Sequence, residues 1–401
     1  MKTSIHPDLA ALPEVQAADS ILRNCVHCGF CNATCPTYQE LGDELDGPRG
    51  RIYLIKNLLE DNHISAGAVT HLDRCLTCRA CETTCPSGVQ YGRLIDIGRG
   101  MAEQYAERSR VRQTLSWLMR LVIPRRWLFK PLLRTGQLFR PLLPAALKTH
   151  VPARQQTLPP LAASDSPRVL LLTGCVQSAA TPGVVTALQR LLAKAGRPAN
   201  LVNEGCCGAL DYHLGAHEAG RAHMRQVIDQ LLPELDQVDA VLSSATGCGV
   251  TLAEYPRYLE DDPVYAARAQ RLADKCQDAV SYLAALELPV PASNGMRVAV
   301  HTPCSMQHGL KLNGQVEKIL ERLGYTLVPH AEGHLCCGSA GSYSILEPAL
   351  SERLQRRKVS ALQAGKPDVI VTANIGCQLH LDAGADVPVM HWLELVAADL
   401  S

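Results

Sequence analysis

Early in the chain the apolar positions keep a helical rhythm. Between Gly47 and Glu60, residues Ile52, Ile55, Leu58 and Leu59 stand at i, i+3, i+6 and i+7, one face of a helix. Asp19-Ser20-Ile21-Leu22 reads as a short capped helix, and Tyr91 to Tyr105 as another. After residue 167 the rhythm changes to short apolar runs separated by helical stretches. Val169–Leu172 and Ala240–Leu242 read as strands, with a helix at Val184–Ala195 between them. Arg297–Val300, Tyr325–Val328 and Val369–Thr372 read as strands in turn, with a helix at Val316–Leu323. Short, continuously apolar strands joined by helices imply parallel α/β layers.

Between these regions the composition shifts. No Asp or Glu occurs between Glu107 and Asp165, whereas Lys and Arg number eleven. Trp117, Trp127, Phe129 and Phe139 lie among them, and Pro124, Pro131, Pro141 and Pro144 are expected to break the stretch into short helical pieces. Basic residues mixed with amphipathic aromatics suit an anionic membrane surface or an acidic partner. The alternative is a linker whose apolar side packs on its own domains. Docking is the expectation, with the protein cytoplasmic and peripherally bound to the inner face of the cell membrane. Pro159 and Pro160, followed by Ala162-Ala163-Ser164, mark a boundary.

A length of 401 residues allows two or three domains. The formal net charge is zero and aromatics make up 4%, which argues against nucleic acid as a partner. The N-terminus has no apolar h-region and no run of 18 apolar residues exists, so neither export nor a membrane span is expected. Seventeen cysteines in such a chain point to ligands in a reducing compartment.

Eight of those cysteines form two runs in register, Cys25-x2-Cys28-x2-Cys31-x3-Cys35-Pro36 and Cys75-x2-Cys78-x2-Cys81-x3-Cys85-Pro86. Each is the bacterial ferredoxin run, in which three thiolates on a tight loop converge on one cluster and the fourth reaches the other. The expected ligands are Cys25, Cys28, Cys31 and Cys85 for one [4Fe–4S] cluster, and Cys75, Cys78, Cys81 and Cys35 for the second. Structural zinc requires cysteine pairs closing in fours, and a disulfide framework an exported chain. Arg49, Arg51, Arg74 and Arg79 either offset cluster charge or are solvated surface residues.

The remainder is an internal repeat. Cys175 aligns with Cys304, Cys206-Cys207-Gly208 with Cys336-Cys337-Gly338, and Gly247-Cys248 with Gly376-Cys377, at offsets of 129, 130 and 129 residues. In each copy the cysteines follow strands, where open α/β sheets gather their ligands. No G-x-G-x-x-G or P-loop follows any strand, so no nucleotide site is expected. Cys276 has no counterpart and reads as a core thiol. His213, His217 and His223 are expected to share one helix as ordinary surface.

This cysteine pattern resembles the CCG (cysteine-rich) domain of heterodisulfide reductase catalytic subunits. That family's motif ends in C-x2-C and holds a non-cubane cluster, whereas here the last position is Thr251 in one copy and His380 in the other. The first copy is left with Cys175, Cys206, Cys207 and Cys248. The second keeps five candidate ligands, Cys304, Cys336, Cys337, Cys377 and His380, since histidine replaces cysteine on iron in some centres. A third cluster, zinc, or buried free thiols are the alternatives. His301 and His334 neighbour the second pocket.

The whole layout resembles a family of electron-transfer subunits that pair a ferredoxin domain with tandem CCG domains. It is most similar to the glycolate oxidase (glycolate dehydrogenase) iron–sulfur subunits, through ADSILRNCVHCGFCNATCPTYQELGDELDGPRGRIYLIK, HLDRCLTCRACETTCPSGVQY, GCCGALDYHLGA, HLCCGSAGSY and VTANIGCQLH. The resemblance implies a complex in which an FAD-containing subunit oxidises glycolate to glyoxylate and this chain passes the electrons toward quinone. Lactate and glycerol 3-phosphate are the alternative substrates of the partner. A thiol enzyme of the heterodisulfide-reductase kind and a zinc scaffold are the rival classes. The chain has no flavin or nicotinamide fingerprint and is not expected to oxidise substrate alone. The expected fold is α plus α/β: a helical two-cluster ferredoxin domain at 1–107, a basic linker at 108–166, and α/β CCG domains at 167–290 and 291–401.

Overall fold

Three helices supply most of the core of the N-terminal unit, and two of them start on a proline. In the computed structural model, which describes residues 1–105, 108–144, 148, 151–155, 157–289 and 295–399, α1 is Pro13–Asn24, α2 is Pro48–Asp61 and α3 is Tyr91–Tyr105. Proline at the first helical position carries a pre-set φ and forfeits no hydrogen bond there. That is why α1 begins at Pro13 and not at Asp19, as expected from the cap-like sequence. Asp19 instead sits inside the helix, accepting from Arg23 Nε at 2.8 Å and from the Thr3 hydroxyl. On α2 the expected face, Ile52, Ile55, Leu58 and Leu59, is buried. Each such side chain contributes about 1.5–3 kcal/mol by leaving water. Gly98 of α3 lets the two helices close, since a Cβ there would lie 2.6 Å from Ile55 Cγ1.

This first unit comprises Met1–Leu118, Leu210–Glu218 and His334–Lys358, so two segments of the repeat fold with the N-terminal helices. Ion pairs pin both segments. His213 Nδ1 lies 2.9 Å from Asp96 on α3. Arg112 meets Glu347 at 2.7 Å, and Glu40 accepts from Arg353 at 3.1 Å and Arg357 at 3.0 Å. The single helix expected across the three histidines is two: one ends at His213 and the next begins at His217. Gly215 between them has φ +86, a conformation that glycine adopts without strain.

The second unit, Met119–Ala209, Ala219–Gly333 and Val359–Ser401, holds two parallel four-stranded sheets with the same strand order. In the first, β1 (Val169–Leu172), β2 (Ala199–Val202), β3 (Ala240–Ser243) and β4 (Cys276–Asp278) run β2-β1-β3-β4. In the second, β5 (Arg297–His301), β6 (Thr326–Leu327), β7 (Val369–Thr372) and β8 (Val389–His391) run β6-β5-β7-β8. The register repeats as well: Val169 pairs with Ala240 as Val298 pairs with Val369. Central strands β1, β3 and β7 are buried throughout, as their unbroken apolar sequence requires. One hydrophobic core joins both copies, including Leu171, Leu188, Val300 and Trp392. Hydrogen bonds tie them too: Thr246 Oγ1 to Ser305 Oγ at 2.6 Å, and the Gly247 N–H to Asn374 Oδ1 at 3.2 Å.

Of the basic segment, Arg110–Val122 and Arg126–Phe139 are helices separated at Pro124. Pro131 does not break the second helix, contrary to expectation, because a proline removes one backbone bond and can be absorbed as a bend. The Arg126–Phe139 helix, α4, buries none of its residues. The expected domain limits at 107 and at 290 and 291 lie outside the described residues, as do positions 145–147, 149, 150 and 156 of this segment. Among the described residues no helix is long and apolar enough to cross a membrane.

Candidate metal centres

Both cysteine runs fold as the same loop. His27 (φ +58) and Gly29 (φ +83) are left-handed in the first, and Thr77 (φ +53) and Arg79 (φ +64) hold the equivalent places in the second. Left-handed residues on either side of a cysteine curl the backbone tightly enough for three thiols to face one point. Three of the four are not glycine, and each non-glycine costs about 1–2 kcal/mol there. Such strain persists only where the surroundings hold it, which is common at functional sites. A short helix follows each loop, Phe30–Thr34 and Ala80–Thr84, and delivers Cys35 and Cys85 in extended conformation before Pro36 and Pro86.

Thiols from the two runs lie close to one another. A recess is lined by Cys25, Cys28, Cys31, Cys81 and Cys85, with no carboxylate on its wall. Burial, and then the neighbouring Cys25, Cys85 and Cys28, push the Cys31 thiol up to about 11. Burial, and then Cys78, Cys75 and Cys35, push Cys81 well above its ordinary value. Thiols crowded in this way ionise together only with cations among them, and soft thiolate donors in an apolar wall suit iron–sulfur clusters. Cys28 is exposed, and the apolar Val26 and Phe30 beside it are 68% and 62% exposed, so the first group has an open side. Cys35, Cys75 and Cys81 are buried.

Sequence reasoning left the arginines undecided. The structure separates them. Arg51 is fully buried on α2, with Nη1 3.9 Å from Cys35 Sγ and Nε donating to the His71 carbonyl at 2.7 Å. Both Nη atoms donate to Thr37 Oγ1 at 3.1 Å, and Nη2 lies 3.4 Å from Asp46. Burial alone would lower the Arg51 pKa, but Tyr91, Cys75, Cys35 and Asp46 outweigh it and raise it. Arg74 takes the other oxygen of Asp46 at 3.1 Å. Arg49 and Arg79 pair with Glu44 and Glu82. Arg99, not anticipated, donates to the carbonyls of Leu72 and Cys75 and fixes the start of the second loop. Tyr91, also missed, donates its hydroxyl to Cys75 Sγ at 3.7 Å. Tyr343, from the repeat segment in this unit, is buried within electrostatic reach of Arg51, Cys75 and Cys336.

In the first repeat Cys175, Cys206, Cys207 and Cys248 converge past the carboxyl ends of β1, β2 and β3. Hydrogen bonds to Cys175 and Cys207, and then burial, push Cys206 well above the ordinary thiol value; a bond to Cys207 does the same for Cys248. The Tyr255 hydroxyl donates to the Cys207 carbonyl at 2.9 Å. Glu204, unremarked in the sequence, accepts from the N–H groups of Gly174 at 2.7 Å and Thr173 at 3.0 Å, and burial pushes its carboxyl up to about 7. Thr251 donates its hydroxyl to the Gly247 carbonyl at 2.9 Å, so it is used within its own helix. Burial pushes the Cys276 thiol up to about 12, with no other thiol contributing.

The second repeat distributes its candidates differently. Cys336 and Cys337 fold with the first unit, and Cys304, Cys377 and His380 with the second. Cys377 and His380 lie three residues apart on the helix Ile375–Asp382, hence on one face. His301, which the sequence placed only in the neighbourhood, is buried at the end of β5 with a ring nitrogen within 4.8 Å of Cys377 Sγ. Asn374 Nδ2 donates to the same sulfur at 3.7 Å. A histidine ending a strand one residue before the Thr-Pro-Cys turn was the available signal.

The chain matches known proteins over most of its length. Residues 21–89 match the 4Fe-4S dicluster domain, and residues 169–253 and 298–382 each match the cysteine-rich domain. The glycolate oxidase iron–sulfur subunit of Escherichia coli is 47% identical over 99% of this chain and 98% of its own length. The probable glycolate oxidase iron–sulfur subunit of Bacillus subtilis is 30% identical, over 91% and 89%. Lactate utilization protein A of Bacillus licheniformis is 27% identical over 57% of this chain and 96% of its own. A crystal structure of a hypothetical protein from Helicobacter pylori shares the fold, with a TM-score of 0.53 at 9% identity, covering 98% of this chain and 73% of that one.

Proposed function

Because the chain belongs to the family of glycolate oxidase iron–sulfur subunits, we propose that it carries electrons away from an FAD-containing partner that oxidises glycolate to glyoxylate. Alcohol oxidation releases two electrons and two protons to the flavin; bound clusters would accept and release the electrons singly. Cys25, Cys28, Cys31 and Cys85 would hold one [4Fe–4S] cluster, and Cys35, Cys75, Cys78 and Cys81 the other. The observation that carries this reading is the proximity of the two runs, with Cys85 beside Cys31 and Cys35 beside Cys81. The chain's own residues supply insulation and approach. Ile52, Val89 and Tyr91 wall the recess, and the exposed Cys28 side leaves an edge for the donor. Glycolate is favoured over lactate as the partner's substrate because the 47% identity spans the whole chain, whereas the lactate relative matches about half of it.

Iron, acid-labile sulfide and zinc per chain, measured on protein purified without oxygen, test this. About eight irons are expected from two cubanes, leaving the repeat cysteines as thiols or zinc ligands. About twelve would add a third cluster in a repeat. Little iron with stoichiometric zinc would overturn the electron-transfer reading.

The final acceptor in this reading is quinone at the inner face of the cell membrane, reached through the basic segment. Helix α4 supports it: Trp127 is 75% exposed and Leu138 74%, in a stretch without acidic residues. Arg126 is not available for lipid, since it donates to Thr173 Oγ1 at 3.0 Å and to Asn203. Anionic vesicles should therefore bind the chain and lose it in the double variant Trp127→Ser, Leu138→Ser. Equal binding to neutral vesicles would count against an anionic surface as the target, and no loss in the variant against docking through this helix.

A further inference from the structure

Building on the two-cluster reading, we propose that Arg51 sets the reduction potential of the cluster held by Cys35, Cys75, Cys78 and Cys81. It holds that potential above the one at Cys25, Cys28, Cys31 and Cys85. The guanidinium cannot swing away. It is 1% exposed and bonded to the His71 carbonyl, Thr37 and Asp46, with Nη1 on Cys35 Sγ. Asp46 only partly offsets it, because that carboxylate also serves Arg74, and the neighbouring acid within 4.8 Å of it, Asp43, is exposed to solvent. Two further donors reach the same group at Cys75: the Tyr91 hydroxyl at 3.7 Å and the Thr77 N–H at 3.4 Å.

The other group lacks this. Among the described residues, no side-chain N–H or O–H donates to the sulfur of Cys25, Cys28, Cys31 or Cys85. Cys31 Sγ faces the Asn32 Oδ1, an acceptor, at 4.0 Å, because Asn32 gives its N–H groups to Glu44. Arg49 does line the recess of that group, but it is paired with Glu44 at 2.6 Å and half-exposed, where solvent and the carboxylate screen its charge.

Two effects oppose one another at the buried group. An added electron makes a cluster more negative, and low-dielectric surroundings resist added charge. Burial by itself would make the inner cluster the harder one to reduce. A fixed positive charge and hydrogen-bond donors at the sulfurs favour the reduced form, and in the same low dielectric they act with little screening. Arg51 is a fully desolvated cation beside a ligand sulfur, and it decides the balance. The electron that leaves the outer cluster oxidises it by one equivalent and reduces the inner one by the same. Entry at the exposed Cys28 side then runs downhill toward the buried side, where Tyr343 and Cys336 lie.

Redox titration followed by electron paramagnetic resonance, with iron counted in each sample, tests this on the full chain purified anaerobically. The inner cluster is the signal that survives in Cys28→Ser. In Arg51→Gln its reduced-to-oxidised ratio at a fixed potential should fall at least tenfold, which is about 59 mV for a one-electron couple. Tyr91→Phe should move it in the same direction by less, and Arg51→Lys should restore most of the wild-type value. Should Arg51→Gln lose its iron, Tyr91→Phe carries the test, since it deletes one oxygen and keeps the ring. Unmoved potentials at full iron content, a shift confined to the outer signal, or a wild type whose inner cluster is the lower of the two would overturn the inference alone. A wild type without clusters would overturn the two-cluster reading and this inference with it.

Discussion

Cys28→Ser and Cys78→Ser should each abolish electron delivery through this chain to an acceptor dye, while substrate still reduces the partner's flavin. A serine hydroxyl at either place must ionise to bind iron and is a hard donor where the metal prefers soft thiolate. Loss of a ligand exceeds the 10–100-fold typical of disturbing the shell outside the ligands, so a loss of at least about 100-fold in dye reduction is expected. Cys28 is the more telling position because it is exposed, and its substitution disturbs no packing. Stopped-flow absorbance on the assembled complex separates the two events: flavin bleaching with glycolate, and dye reduction afterward. Cys276→Ser is the control, since that thiol belongs to neither group, and both events should proceed in it. Dye reduction retained in Cys28→Ser and Cys78→Ser would sink the relay; loss of flavin bleaching as well would indicate a failure of assembly.

The two cysteine loops were legible because a cluster loop writes its requirement into cysteine spacing. The sheets were legible because β1, β3, β5 and β7 are central and buried, and their apolar runs stand out. β2, β4 and β8 escaped notice because these edge strands, Ala199–Val202, Cys276–Asp278 and Val389–His391, are short and each carries a polar residue that leaves no continuous apolar run. The folding of 210–218 and 334–358 with the N-terminal helices was not legible either. It depends on pairs such as His213 with Asp96 and Arg357 with Glu40, which are far apart in sequence and ordinary in type. Arg51 is the instructive case. It adjoins Ile52 on the buried face of α2 and could have been flagged as a charge on a core stripe. Its partners, Thr37, Asp46 and Cys35, come from segments whose approach only the fold reveals.

Gly50→Ala should destabilise the N-terminal unit by about 3 kcal/mol or more, against the intrinsic preference of a helix for alanine, which is worth about 1 kcal/mol. A Cβ on Gly50 would lie 2.1 Å from the Glu44 carbonyl oxygen, 2.7 Å from its carbon and 2.8 Å from Leu45 Cα. These are backbone atoms of the turn Glu44–Asp46, and that turn is not free to retreat. The Asp46 carbonyl accepts from Thr37 at 2.7 Å, and its carboxylate holds Arg51 and Arg74. Displacing the turn therefore pulls apart a buried ion pair, which is costlier than overpacking alone. Gly67→Ala provides the contrast. That glycine lies in the helix Ala66–Asp73, where a new Cβ meets nothing closer than Ser65 Oγ at 3.9 Å, and alanine should stabilise by about 0.5–1 kcal/mol. Thermal unfolding of the N-terminal transition, with iron content followed in parallel, reads both. The alanine at Gly50 should lower the transition and release iron with it, because the same turn positions the arginine beside Cys35. Equal transitions in the two variants would mean that the turn is not held as the structure shows.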